Sequence, residues 1–210
     1  NVFLQYVKTQ DGKYVLAEQK NVDTGMGFER VVAVLNGKKS VYETDIFLPI
    51  MELFPGHVDE RKKRIIADHS RAIAFLIAEG VRPSNKEQGH VLRRLIRRVI
   101  TYAYQENIKT PPEGILETIV DEYKIIYPNL DFGVIKEVYG AEYSKFIKSV
   151  GSGLKELEKL DSVNGESAFK LYESFGLPYE VIKEVGGEKA KNLTREAFDE
   201  EFKKHQEISR

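Results

Sequence analysis

Residues 22–36 hold the densest set of chemistry-bearing positions in this 210-residue sequence. Asp23, Gly25 and Gly27 alternate with Thr24 and Met26; Glu29 and Arg30 then open an apolar run, Val31 to Leu35, that stops at Asn36-Gly37. Glycine removes the side chain where a backbone must let another group come close. The planar, always-charged guanidinium of Arg30 suits a phosphate or a carboxylate. The plain alternative is a strand–helix joint with an exposed arginine, because a Gly-x-Gly with one arginine is a weak signal. A second cluster is Arg93, Arg94, Arg97 and Arg98. Its spacing puts Arg93 with Arg97, and Arg94 with Arg98, on one side of a helix. Four cations that close repel one another, so something anionic lies nearby: carboxylates of neighbouring helices, or nucleic-acid phosphate. By residue type alone, Asn85 reads as a turn residue and Glu173 as a surface acid. His57, His69, His90 and His205 are scattered without ligand spacing, and His69 beside Asp68 reads as a packed helix position, so no metal site is expected.

The elements that must position these groups change character along the chain. Residues 1–18 alternate as two strands around the turn signal Asp11-Gly12, and residues 22–36 read as a strand running into a helix. After Gly37 helical periodicity takes over. Helices are expected over Asp45–Leu53, Asp59–Glu79, His90–Tyr104, Pro111–Tyr127, Phe132–Leu160 (weakened at Gly151-Ser152-Gly153), Gly165–Phe175, Pro178–Val185 and Thr194–Ile208. The fold class is therefore mainly α, a short antiparallel β segment leading into an all-helical region. The expected division is 1–37 and 38–210. The first residue already stands in a strand pattern, which predicts a chain cut from something longer.

Composition narrows the function classes. With 31% charged and 41% hydrophobic residues and a net charge of −1, a soluble globular protein is expected rather than a disordered one. Cysteine is absent, which excludes a disulfide framework and a cysteine zinc site. No apolar run approaches the ~18 residues of a membrane span, so no membrane partner is expected. Gly151-Ser152-Gly153-Leu154-Lys155 is too short for a phosphate loop.

The stretch Asp23-Thr24-Gly25-Met26-Gly27-Phe28-Glu29-Arg30 resembles motif 3 of the class II aminoacyl-tRNA synthetases, in the form carried by the alanyl-tRNA synthetase family. Arg64 to Arg71, Pro83-Ser84-Asn85, Gly89 to Arg98, Tyr42 to Phe47 and Leu171 to Pro178 look like further signature stretches of that family, in order. The resemblance implies that 1–37 is the C-terminal end of a class II catalytic domain and that 38–210 is a helical tRNA-recognition domain. It implies that Arg30 binds ATP phosphate, Asp23 the amino group of alanine, Gly25 the alanine side chain, and that Asn1 lies beside that site. It implies that Asn85 and Glu173 contact a G·U wobble pair in the acceptor stem of tRNA(Ala), with Arg93, Arg94, Arg97 and Arg98 as tRNA-binding cations. Glu173 departs from the Asp usual in the family, Phe28 from Leu, and His90 from Tyr.

The activity so implied is alanine–tRNA ligation, using ATP with Mg2+, in the cytoplasm. Motifs 1 and 2 are not among these residues, so this chain alone is expected to be inactive and to hold no complete catalytic set. Zinc belongs to the family's editing domain, which is also absent. The other reading is a non-catalytic RNA-binding module derived from such an enzyme.

Overall fold

The alternating segments form a two-stranded antiparallel hairpin, β1 (Val2–Lys8) and β2 (Tyr14–Thr24), in this computed structural model. The structure describes residues 2–108 and 113–208, and for 2–4, 20–24, 206 and 208 only the backbone. The hairpin closes where Gly12 N donates to the Thr9 carbonyl at 2.9 Å and Thr9 N to the Lys13 carbonyl at 2.8 Å. Val7 pairs with Val15 and Tyr6 with Leu16, with register shifts between Val2 and Phe3 and between Leu4 and Tyr6. β2 runs on to Thr24, and after Gly25-Met26-Gly27 the chain enters α1 (Phe28–Leu35). The strand-to-helix passage read from the sequence is thus present. Two compact units are found, Asn1–Pro49 and Ile50–Arg210.

The helix expected over 45–53 is only the short α2 (Leu48–Met51). Flanking residues make i→i+3 turns instead of continuing the helical ladder: Phe47 N donates to the Thr44 carbonyl at 3.1 Å, and Leu53 N to the Ile50 carbonyl at 3.3 Å.

The second unit is built from long helices with apolar faces at helical spacing. α3 (Glu60–Ala78) is capped by Asp59, whose carboxylate accepts from Lys62 N at 3.0 Å. α4 (Glu87–Gln105) follows the Pro83-Ser84-Asn85 loop. α5 (Glu113–Tyr123) ends in a tighter turn, Ile126 N donating to the Tyr123 carbonyl at 3.0 Å, short of the expected Tyr127. The expected start at Pro111 lies outside the described residues. Asp131 caps α6 (Phe132–Lys159), accepting from Gly133 N at 2.7 Å. Ile66, Ile73 and Ile77 of α3, Leu92, Ile96 and Val99 of α4, and Ile135, Phe146 and Val150 of α6 are all buried, and α3, α4 and α6 pack on one another.

α6 runs unbroken through Gly151-Ser152-Gly153, where the sequence marks a weak spot. These glycines serve close approach rather than a break. A Cβ on Gly151 would lie 2.6 Å from the Tyr104 hydroxyl, and one on Gly153 2.7 Å from Phe175 Cβ.

α7 (Gly165–Phe175) begins with a reciprocal cap between Asn164 and Ser167 and ends at Gly176 in the left-handed region, φ +73°. α8 (Tyr179–Gly186) and α9 (Arg195–Ile208) complete the unit. Phe169 and Tyr172 of α7 pack against Phe198 and Phe202 of α9 with ring centroids 5.7–6.2 Å apart. Among the described residues, no helix is long and apolar enough to cross a membrane.

Candidate functional site

In the first unit, α1 and the preceding turn present the Gly-x-Gly backbone and Arg30. Gly25, Gly27 and Arg30 are exposed. A Cβ on Gly27 would lie 3.5 Å from Arg30 Cδ, so the arginine stem runs back along the glycine. Among the described residues Arg30 has no hydrogen-bond or ion-pair partner, leaving its five N–H donors available. Asp23 stands in β2, its side chain outside the description, and Asn1 lies outside the described residues.

In the second unit, the arginine quartet faces carboxylates supplied by two other helices. Arg97 Nε donates to Glu142 Oε1 at 2.8 Å, and Arg93 Nε lies 3.4 Å from the same oxygen. Glu142 sits in the middle of α6, and its side chain is 4% exposed. On the other row, Arg94 Nη1 lies 3.5 Å from Glu180, and Arg98 Nη2 3.4 Å from Glu184, one turn apart on α8. Of the two sources of negative charge weighed from the sequence, neighbouring helices supply it here.

Each row is tied in further. Arg97 Nη1 donates to the Gly176 carbonyl at 3.3 Å, and its guanidinium lies 5.1 Å from the Phe146 ring centre. Arg98 Nε donates to the Tyr102 hydroxyl at 3.3 Å, while Arg98 Nη1 lies 3.3 Å from His69 Nε2. Tyr102 in turn hydrogen-bonds Glu184. Burial first, then the Glu184 carboxylate, push the Tyr102 hydroxyl up to about 12. The neighbouring His69, with Nδ1 3.7 Å from Asp68 Oδ2, holds Asp68 below its usual range. His69 is thus one member of a structural network; no group of three or more metal-ligating side chains occurs among the described residues.

The loop before α4 is shaped by its own side chains. Ser84 N donates to the Gly89 carbonyl at 3.0 Å, and Ser84 Oγ accepts from Lys86 N at 3.2 Å. Arg93 donates to the Asn85 side-chain oxygen and, through Nη2, to the Pro83 carbonyl at 3.3 Å. Asn85 is held exposed at the tip.

Asn85 and Glu173, 88 positions apart by their numbers, line one open groove of about 590 Å3. Arg97, Lys86 and Lys145 line it as well. Glu173 projects from the last turns of α7, with Oε1 3.2 Å from His205 Nδ1 of α9. The aromatic packing of α7 on α9 brings that histidine to the carboxylate. Arg94 instead lines a smaller cavity with His90, Tyr179 and Arg195.

Lys86 and Lys145 are the groove residues that the sequence reading missed. Both are exposed, and among the described residues neither has a carboxylate partner. No periodic signal marks a single lysine, whether in the loop before α4 (Lys86) or within α6 (Lys145); only placement beside Asn85 and Glu173 does.

Comparison with known proteins gives these positions a context. A family model described as "tRNA synthetases class II (A)" matches residues 1–210. A protein of Borrelia garinii subsp. bavariensis named alanine–tRNA ligase is 42% identical over 235 aligned positions, covering 100% of this chain and 39% of that protein. Proteins of the same name from Thermotoga maritima and Elusimicrobium minutum are 36% and 37% identical over 225 positions, again across 100% of this chain but 26% of theirs. The chain thus spans about two fifths or less of the length of these relatives. A match that runs without remainder from the hairpin through the last helix decides the classification: the chain belongs to the class II (A) tRNA synthetase family.

Proposed function

We propose that this chain is part of an alanine–tRNA ligase, with residues 1–37 closing a class II catalytic domain and 38–210 recognising tRNA(Ala). The observation that carries the recognition half is the shared groove of Asn85 and Glu173, flanked by the unpaired cations Lys86 and Lys145. A wobble pair leaves the guanine exocyclic amine unpaired and shifts uracil toward the major groove. An amide and a carboxylate can hydrogen-bond those edges while cations hold the phosphates. Lys86 and Lys145 are the better phosphate contacts, since Arg93, Arg94, Arg97 and Arg98 each have a carboxylate within 3.5 Å.

In the catalytic half, Arg30 contacts ATP phosphate, Asp23 the alanine amino group and Gly25 the alanine side chain. The exposed Arg30 guanidinium, unpaired among the described residues, is consistent with a waiting anion site. No residue of this chain is proposed as a ligand of the Mg2+ that accompanies ATP.

The test is single-turnover transfer of alanine to acceptor-stem duplexes carrying G·U or G·C, in the ligase that contains this chain. Asn85→Ala is expected to lower transfer to the G·U stem by about 1–3 kcal/mol, the worth of one good base-edge contact. Adenylate formation should be unchanged. An equal loss on both stems would return Asn85 to the role of a turn residue.

A further inference from the structure

We propose that Arg93 is a positioning residue that fixes the hydrogen-bonding polarity of Asn85. The inference rests on reading Asn85 as a base-edge contact. An asparagine amide is ambiguous: turned by half a rotation about its last bond, it exchanges an acceptor for two donors. Arg93 removes the ambiguity. A guanidinium carries only donors, so the Asn85 atom it meets is the oxygen. The amide nitrogen, on the other side of the same carbon, donates to nothing among the described residues and is the group left for a partner in the groove.

Arg93 can do this because it is itself held. Its Nη2 donates to the Pro83 carbonyl at 3.3 Å, so one planar fork grips both the loop backbone and the amide two residues on. Its Nε lies 3.4 Å from Oε1 of Glu142, a carboxylate buried in α6 whose same oxygen accepts from Arg97 Nε at 2.8 Å. The chain of support runs from the core to the loop tip: Glu142, Arg93, Asn85. In the same groove an ionised Glu173 can only accept. The groove then offers a fixed donor from α4's loop and a fixed acceptor from α7. Its complement is a base pair that shows an unpaired acceptor on one edge and an unpaired donor on another.

The experiment compares Arg93→Met, Asn85→Ala, the double variant and Asn85→Asp in the ligase that contains this chain, measuring affinity for G·U and G·C stem duplexes. Arg93→Met should reduce the G·U over G·C ratio by about 5- to 150-fold, the range of one base-edge contact. The double variant should fall no further than Asn85→Ala, because both remove the same oriented donor. Asn85→Asp leaves Arg93 untouched and keeps its acceptor, but has no donor, and should lose the ratio as fully as alanine. An Arg93→Met protein that keeps the ratio, an additive double variant, or an aspartate that still discriminates overturns the proposal. The Asn85 side-chain amide, followed by 15N relaxation without RNA, separates the two ideas. If the native protein has no G·U preference, the reading of Asn85 as a base contact falls. Arg93 as its anchor then stands if Arg93→Met loosens that amide, and falls if it does not.

Discussion

Replacing Glu142 by leucine would leave two guanidinium groups facing a hole in the charge pattern of the helical unit. Glu142 is 4% exposed, and the Arg93 and Arg97 side chains are each 23% exposed. Removing one partner of a buried ion pair costs about 3–5 kcal/mol, because the remaining charge stays desolvated. Here both arginines retain some water, and Arg97 keeps its bond to the Gly176 carbonyl at 3.3 Å. We therefore expect a loss of about 2–4 kcal/mol. At roughly 2–4 °C per kcal/mol for a domain of 150–250 residues, the melting temperature should fall by about 4–16 °C. Glu142→Gln keeps the shape and one acceptor, and should cost about half as much. Urea and thermal unfolding followed by circular dichroism at 222 nm measure both. A triple variant, Glu142→Leu with Arg93→Met and Arg97→Leu, should recover much of the loss, since it removes every member of the buried network at once. If Glu142→Leu is as stable as the parent, the carboxylate is not what holds the two arginines, and the account of the quartet is wrong.

Gly176→Ala should destabilise the unit by at least about 1–2 kcal/mol, since φ is +73° there and the new Cβ would collide with Arg97 Nη1; an unfolding midpoint within error of the parent would refute this. His90 is held below its usual value by burial, then by Arg94, Arg195 and Arg93, with Glu180 opposing. Its folded pKa is depressed, so below about 6.5 the unfolded chain takes up a proton that the folded chain resists. Stability should be fully present above that pH and fall as pH drops toward the folded pKa; His90→Tyr should flatten this slope in unfolding curves taken between about pH 5 and 7.5.

Much of the local architecture is decided by residues within four positions of one another. Asp59, Asp131 and Asn164 start helices because their side chains bond the first free N–H groups of the turns they precede. The alternation of residues 1–18 and the 3.6-residue periodicity after Gly37 likewise make the hairpin and the helical region legible, and the ordered signature stretches make the family so. Boundaries fail where a distant contact outweighs a local preference. Gly151 and Gly153 look like breakers, yet α6 continues because Tyr104 and Phe175 need the space a side chain would fill. The site belongs to tertiary structure almost entirely. Spacing puts the four arginines in two rows, but not which row meets Glu142, 45 residues beyond Arg97, or Glu184, 86 beyond Arg98. Nor does it tell that α9 brings His205 to Glu173, or that Lys86 and Lys145 share a groove with both recognition candidates. Helical periodicity records which residues share a face of one helix; which faces meet is set by packing between segments far apart in the chain, and that meeting decides whether a charge is neutralised within the fold or left for a partner.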